Sequence, residues 1–112
     1  MEMQPGELID KYTIARLYRE RDNGDIKEEG RLNAGVSEVK RKHPDLLWDE
    51  LIDVMYTING TIWDYEAPIH SGKMDGDPVI AGILSLRVRK FNVIRVKMSK
   101  LINKLVEKDG KG

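Results

Sequence analysis

From Leu47 to Ile69 the apolar residues Leu47, Leu51, Val54, Ile58, Ile62, Tyr65 and Ile69 succeed one another at steps of 4, 3, 4, 4, 3 and 4. A helix puts residues so spaced on one face. At about 100° per residue, Trp48, Ile52, Met55 and Trp63 widen the apolar arc to more than half the circumference. A surface helix needs a narrower stripe, so this one is expected at the centre of a helical bundle or an oligomer. Two polar residues, Asn59 and Glu66, fall inside the arc.

The flanking sequence extends the helical reading. Pro5-Gly6-Glu7 marks a helix start, with proline and an acid in the first turn. Asn23-Gly24-Asp25 is a turn, and Gly30 and Gly35 weaken the helix after it by about 1 kcal/mol each against alanine. His43-Pro44-Asp45 ends that helix and starts the next, which Pro68 should kink or end. Asp77-Pro78 reads as an N-cap followed by proline at the first helical position. The expected fold is all-α: one domain over residues 1–112, an elongated antiparallel bundle of three long helices with the first one broken. The expected spans are 7–21, 25–42, 45–70 and 78–108, with a frayed tail at 109–112. Such wide apolar arcs on a thin chain also imply a homo-oligomer.

Charge narrows the function classes. The 112 residues hold 19 basic and 19 acidic side chains, so no bulk field favours nucleic acid or a membrane. The charges are nevertheless segregated. Residues 44–77 carry eight acids and one lysine, whereas residues 87–108 carry eight bases and one glutamate. An antiparallel pairing of these segments would lay acid along base, leaving little basic charge for a nucleic acid. The absence of cysteine excludes thiolate chemistry. No signal-peptide pattern and no long apolar run is present, so a soluble, cytoplasmic protein is expected.

Helical angle places Arg87 and Arg95 within the apolar arc of the last helix, with Asn92 and Asn103 at its edge. Arginine enters a core only with partners, because a stranded charge costs several kcal/mol. Asn59 and Glu66 occupy the facing arc, and Lys11 of the first helix points toward the same region. One reading is an internal ion-pair network that fixes helix register. The other is a pocket in which Lys11, Arg87 and Arg95 bind an anion, Trp63 stacks on it, and Asn59, Glu66 and Asn92 orient it. Two arginines and a lysine against one glutamate leave positive charge to spare.

A separate acidic constellation, Glu50-x-x-Asp53, resembles the E-x-x-D helix of the all-α nucleoside triphosphate pyrophosphohydrolases. That resemblance implies a Mg²⁺ site completed by an upstream pair, for which Asp25 and Glu28 are the nearest match. The pair is not E-x-x-E, and it sits beside a turn. Asp53 also faces away from the apolar arc, where a solvated acidic surface is the plainer reading. His43 and His70 lack the spaced partners of a metal site.

Three stretches carry a second resemblance: G-E-L-I-D-K-Y-T-I at 6–14, I-N-G-T-I-W-D-Y-E at 58–66 and R-K-F-N-V-I-R-V-K-M-S-K-L-I-N at 89–103. Together they resemble an uncharacterised family of small helical proteins from bacteria and their phages. The resemblance implies a shared helical architecture and no assigned activity. The family's polar motif positions correspond to Lys11, Asn59, Trp63, Glu66, Asn92, Arg95 and Asn103. The expectation is therefore non-enzymatic binding of a small anionic ligand, a nucleotide or nucleotide signal, without a cofactor. Mg²⁺-dependent pyrophosphohydrolysis and a structural role in a helical assembly are the alternatives.

Overall fold

The computed structural model describes residues 3–111, and every described element is a helix. There are four: α1 (Pro5–Asp22), α2 (Ile26–Lys42), α3 (Trp48–His70) and α4 (Pro78–Lys111). The first is not a rod with a break in it. Asn23 takes the left-handed conformation (φ 51°), and the Gly24 amide closes onto the Tyr18 carbonyl at 2.9 Å. The chain therefore reverses, and α2, capped by the Asp25 carboxylate on the Lys27 amide, folds back along α1.

Helix α3 starts at Trp48 rather than at residue 45. His43 precedes a proline, which pushes it out of the helical region, and it sits at φ −132° and ψ 64°. The Trp48 indole then donates to the His43 carbonyl at 2.7 Å, stapling the turn. Pro68 removes one backbone donor, yet α3 continues to His70. At the start of α4, Asp77 accepts from the Ile80 amide at 3.1 Å, the cap that Asp77-Pro78 predicts. The helix then runs past the expected end at residue 108. Asp109 is not frayed: its Oδ2 lies 2.7 Å from Nδ1 of His43 and holds the α2–α3 turn. Gly112 lies outside the described residues. At about 1.5 Å per residue, the 34 residues of α4 span about 51 Å and set the 54 Å long axis.

The helix that packs closely on all three others is α1; α3 packs closely on α1 and α4 and meets α2 more lightly, through the Lys40–Asp49 pair. Its contact stripe is Gly6, Ile9, Thr13 and Leu17, all buried. A Cβ on Gly6 would stand 2.0 Å from the Ser99 carbonyl oxygen, so only glycine lets α1 come this close to α4. Gly35 is a milder case on the other side, where a Cβ would press on the Leu8 side chain at 3.1 Å. The main core, Leu8, Ile9, Leu32, Val36, Trp48, Ile52, Met55 and Ile102, joins all four helices near one end of the molecule.

Helices α3 and α4 pack antiparallel: Tyr65 meets Phe91 with ring centroids 5.8 Å apart, while Met55 and Ile102 share the core. Charge pairing does not hold them. Among the described residues no ion pair joins α3 to α4, and Arg87, Arg89, Lys90, Lys97, Lys100, Lys104 and Lys108 take no acidic partner. The α3 acids pair elsewhere, Asp49 with Lys40 and Asp64 with Arg21. No described helix is long and apolar enough to cross a membrane.

Candidate functional site

The polar centre of the molecule lies where α1, α3 and α4 meet. Asn59, buried in α3, donates from one Nδ2 to Oδ1 of Asp10 at 3.0 Å and to Oγ1 of Thr13 at 2.9 Å. Thr13 passes its own proton to the Asp10 carbonyl at 2.8 Å. Nε of Arg95, from α4, stands 3.7 Å from the same Asp10 carboxylate oxygen. Three helices are thus tied through one carboxylate. Every buried polar side-chain atom there and elsewhere in the described residues has a hydrogen-bond partner.

Outward from this network opens a cavity of about 120 Å³ lined by Ile14, Leu17, Tyr18, Asn59, Ile62, Trp63, Glu66, Asn92 and Arg95. Tyr18 and Trp63 form one wall, edge to face, with centroids 4.7 Å apart and planes at 78°. A second recess of about 350 Å³ continues along α1 and α3 and shares Tyr18, Trp63 and Glu66 with the first, adding Asp22, Ala67 and His70. Small-molecule sites run from about 300 to 1,000 Å³, so the inner cavity alone is too small and the pair together is not.

Five of the seven residues assigned to a ligand site from sequence therefore line one cavity: Asn59, Trp63, Glu66, Asn92 and Arg95. Among the described residues, neither the Asn92 amide nor the Glu66 carboxylate makes a hydrogen bond, and the His70 ring nitrogen stands 3.9 Å from Glu66. Their polar atoms are therefore free to meet a ligand.

The other two are elsewhere. Arg87 is exposed, its guanidinium over the Tyr65 ring at 5.6 Å from the centroid, a cation–π contact at the surface of the α3–α4 pair. Lys11 is exposed and paired with Glu7 at 3.1 Å. It borders a different recess, between α1 and α2. Asn103, at the edge of the same arc, accepts from the Gly6 amide at 2.7 Å and so caps α1, whose own N-cap residue, Gln4, provides no side-chain bond.

Losing Lys11 and Arg87 changes the electrostatics. In place of three cations against one acid, the site has Arg95 with Asp10 and Glu66. Asp10 and Thr13 do not stand out in the sequence, because Gly6 and Thr13 interrupt the apolar stripe of α1 that Ile9 and Leu17 mark. The available signal is position: Thr13 lies four residues from both Ile9 and Leu17, on the same helical face.

The acidic constellation is scattered in use. Asp25 caps α2, Glu28 pairs with Arg31 at 2.9 Å, and Glu50 and Asp53 are exposed on α3. Among the described residues no three His, Asp or Glu side chains come together as metal ligands.

Near the opposite end of α1, Glu20 accepts from the Tyr56 hydroxyl. That hydrogen bond, helped by Arg16, holds the Glu20 carboxyl below its ordinary range, and the same bond pushes the Tyr56 phenol above its own. It belongs to the α1–α3 contact, away from the cavity. Compared with protein-family models, with curated proteins and with solved structures, the chain gives no match.

Proposed function

We propose that the recess between α1, α3 and α4 binds a small ring-bearing anion without turning it over. The observation that carries this reading is the convergence of Asn59, Trp63, Glu66, Asn92 and Arg95, from two helices far apart in sequence, on one cavity. Trp63 offers a face for a ring, Arg95 a fork for an anionic oxygen, and Glu66 and Asn92 partners for ring N–H and carbonyl groups. Arg95 is the one arginine or lysine lining the cavity, so the site suits at most a singly charged ligand. A nucleotide whose phosphate is a diester fits better than a polyphosphate.

The test is a thermal-shift and calorimetric panel of 3′,5′-cyclic mononucleotides and nucleoside mono- and triphosphates, with and without Mg²⁺. Metal-independent stabilisation by a cyclic mononucleotide, lost in Asn92→Ala, is the expected result. Asn92 serves the test because no hydrogen bond among the described residues depends on it. A response only to triphosphates with Mg²⁺ would contradict the reading.

The four helices are further read as an elongated antiparallel bundle that self-associates. The support is the exposed apolar surface of α4, where Val79, Ile80, Ile83, Leu86, Val93, Ile94, Val96 and Leu101 all face solvent in the single chain.

A further inference from the structure

We infer that two copies of the chain pack through the face of α3 and α4 that lies opposite α1, about a two-fold axis parallel to the helices. The inference rests on the reading of the chain as a homo-oligomer and gives it a face, an axis and residue pairings. On α3 and α4 the sides toward α1 are marked by Asn59 and Asn103, which bond to Asp10 and to Gly6. At about 100° per residue, Val54 lies about 140° around α3 from Asn59. On the same rule Leu101 and Ile94 lie about 160° and 180° around α4 from Asn103. Val54, Ile80, Ile83, Ile94 and Leu101 are between 37% and 47% exposed, far more than the core to which their hydrophobicity suits them. They flank the seam between α3 and α4 on its uncovered side.

Charge decides what covers it. The side chains that rim this face are acidic on α3 and basic on α4. Glu50 lies about 40° from Val54 around α3, and Lys90 and Lys108 lie about 20° from Leu101 around α4. Among the described residues, Glu50, Lys90 and Lys108 have no ion-pair partner. A two-fold axis along the helices puts α3 of each copy on α4 of the other, antiparallel, so Glu50 of each copy meets the basic rim of the other. An axis across the helices would put α3 on α3, acid against acid.

The register follows from Tyr65 opposite Phe91. Counting residue for residue, Val54 comes level with Ile102, so it meets Leu101 of the second copy. Glu50 comes level with Val106, between Lys104 and Lys108 of the second copy. The result is a four-helix layer of α3 and α4 pairs, with α1 and α2 outermost.

Light scattering after size exclusion tests self-association, and cysteine cross-linking tests the geometry. The native chain has no cysteine, so introduced ones report cleanly. A dimer is expected, with Leu101→Glu and Ile94→Glu each weakening it by more than about tenfold. Their circular dichroism should be unchanged, because both positions are exposed in the single chain. A mixture of Val54→Cys and Leu101→Cys chains should cross-link on oxidation, whereas neither alone should.

A dimer that survives Leu101→Glu, or that cross-links Val54→Cys to itself, would overturn the face or the axis while leaving self-association intact. A native chain that stays monomeric at hundreds of micromolar would overturn both. So would a monomer that binds a short DNA duplex through Lys90 and Lys108 with steep salt dependence, since the basic rim would then serve another partner.

Discussion

The buried amide of Asn59 divides its donors between the Asp10 carboxylate at 3.0 Å and the Thr13 hydroxyl at 2.9 Å, and so fixes how α1 crosses α3. Removing one member of such a group strands the others. Asn59→Ala should cost about 1–3 kcal/mol, measured as a lower urea midpoint at unchanged m-value. In a double-mutant cycle, Thr13→Val with Asn59→Leu should cost less than the sum of the single changes, because neither half is then left without its partner. Strict additivity would mean that the network is not coupled.

Helix α1 is capped from outside. Asn103→Ala should cost about 1 kcal/mol through the lost bond to the Gly6 amide. Gly6→Ala should cost more, because the clash is with backbone. Gly30→Ala should have the opposite sign, stabilising by about 0.5–1 kcal/mol, because a Cβ there meets nothing within 4 Å. Denaturation midpoints of the three variants give the order directly.

The last residues carry weight. Because Asp109 grips His43 across the α2–α3 turn at 2.7 Å, a chain cut after Lys108 should lose about 1–2 kcal/mol. Asp109→Asn should lose part of it. A truncated chain with an unchanged melting midpoint would restore the frayed tail that the sequence suggests.

Acid should find the α1–α3 contact at Glu20. Its folded carboxyl titrates below the unfolded value, so the associated stability is present above the ordinary carboxylate range and is lost as pH falls through the lowered folded pKa. Tyr56→Phe should return the Glu20 titration toward the ordinary range and flatten that part of the acid limb. Carboxyl NMR of the two proteins reads it.

The periodicity of 47–69 carried the helical class, and helical angle alone selected five residues that now share a cavity. What it could not carry was which helix lies against which. Val54 matches the apolar period yet faces water because α3 has neighbours on only part of the wide arc, and Leu47 does so because it precedes the helix. Arg87 sits at mid-arc on α4 but emerges beside Tyr65, since the register of α3 and α4 leaves its end uncovered. Gly6 and Thr13 look like interruptions of an apolar pattern. They are the stripe on which α1 makes its closest crossings. The single turn at Asn23-Gly24 was legible, but its consequence, a reversal that packs α2 on α1, depends on the left-handed backbone of Asn23.

The central claim is that one recess, bounded by Trp63, Asn92 and Arg95, is where a ligand sits. The most direct measurement is an NMR titration with a 3′,5′-cyclic mononucleotide, following the two indole N–H signals and the side-chain amides. Shifts at Trp63 and Asn92, saturating together while Trp48 stays still, are the predicted result. Saturable shifts centred on Lys11 or Arg87, or none at millimolar ligand, would contradict it.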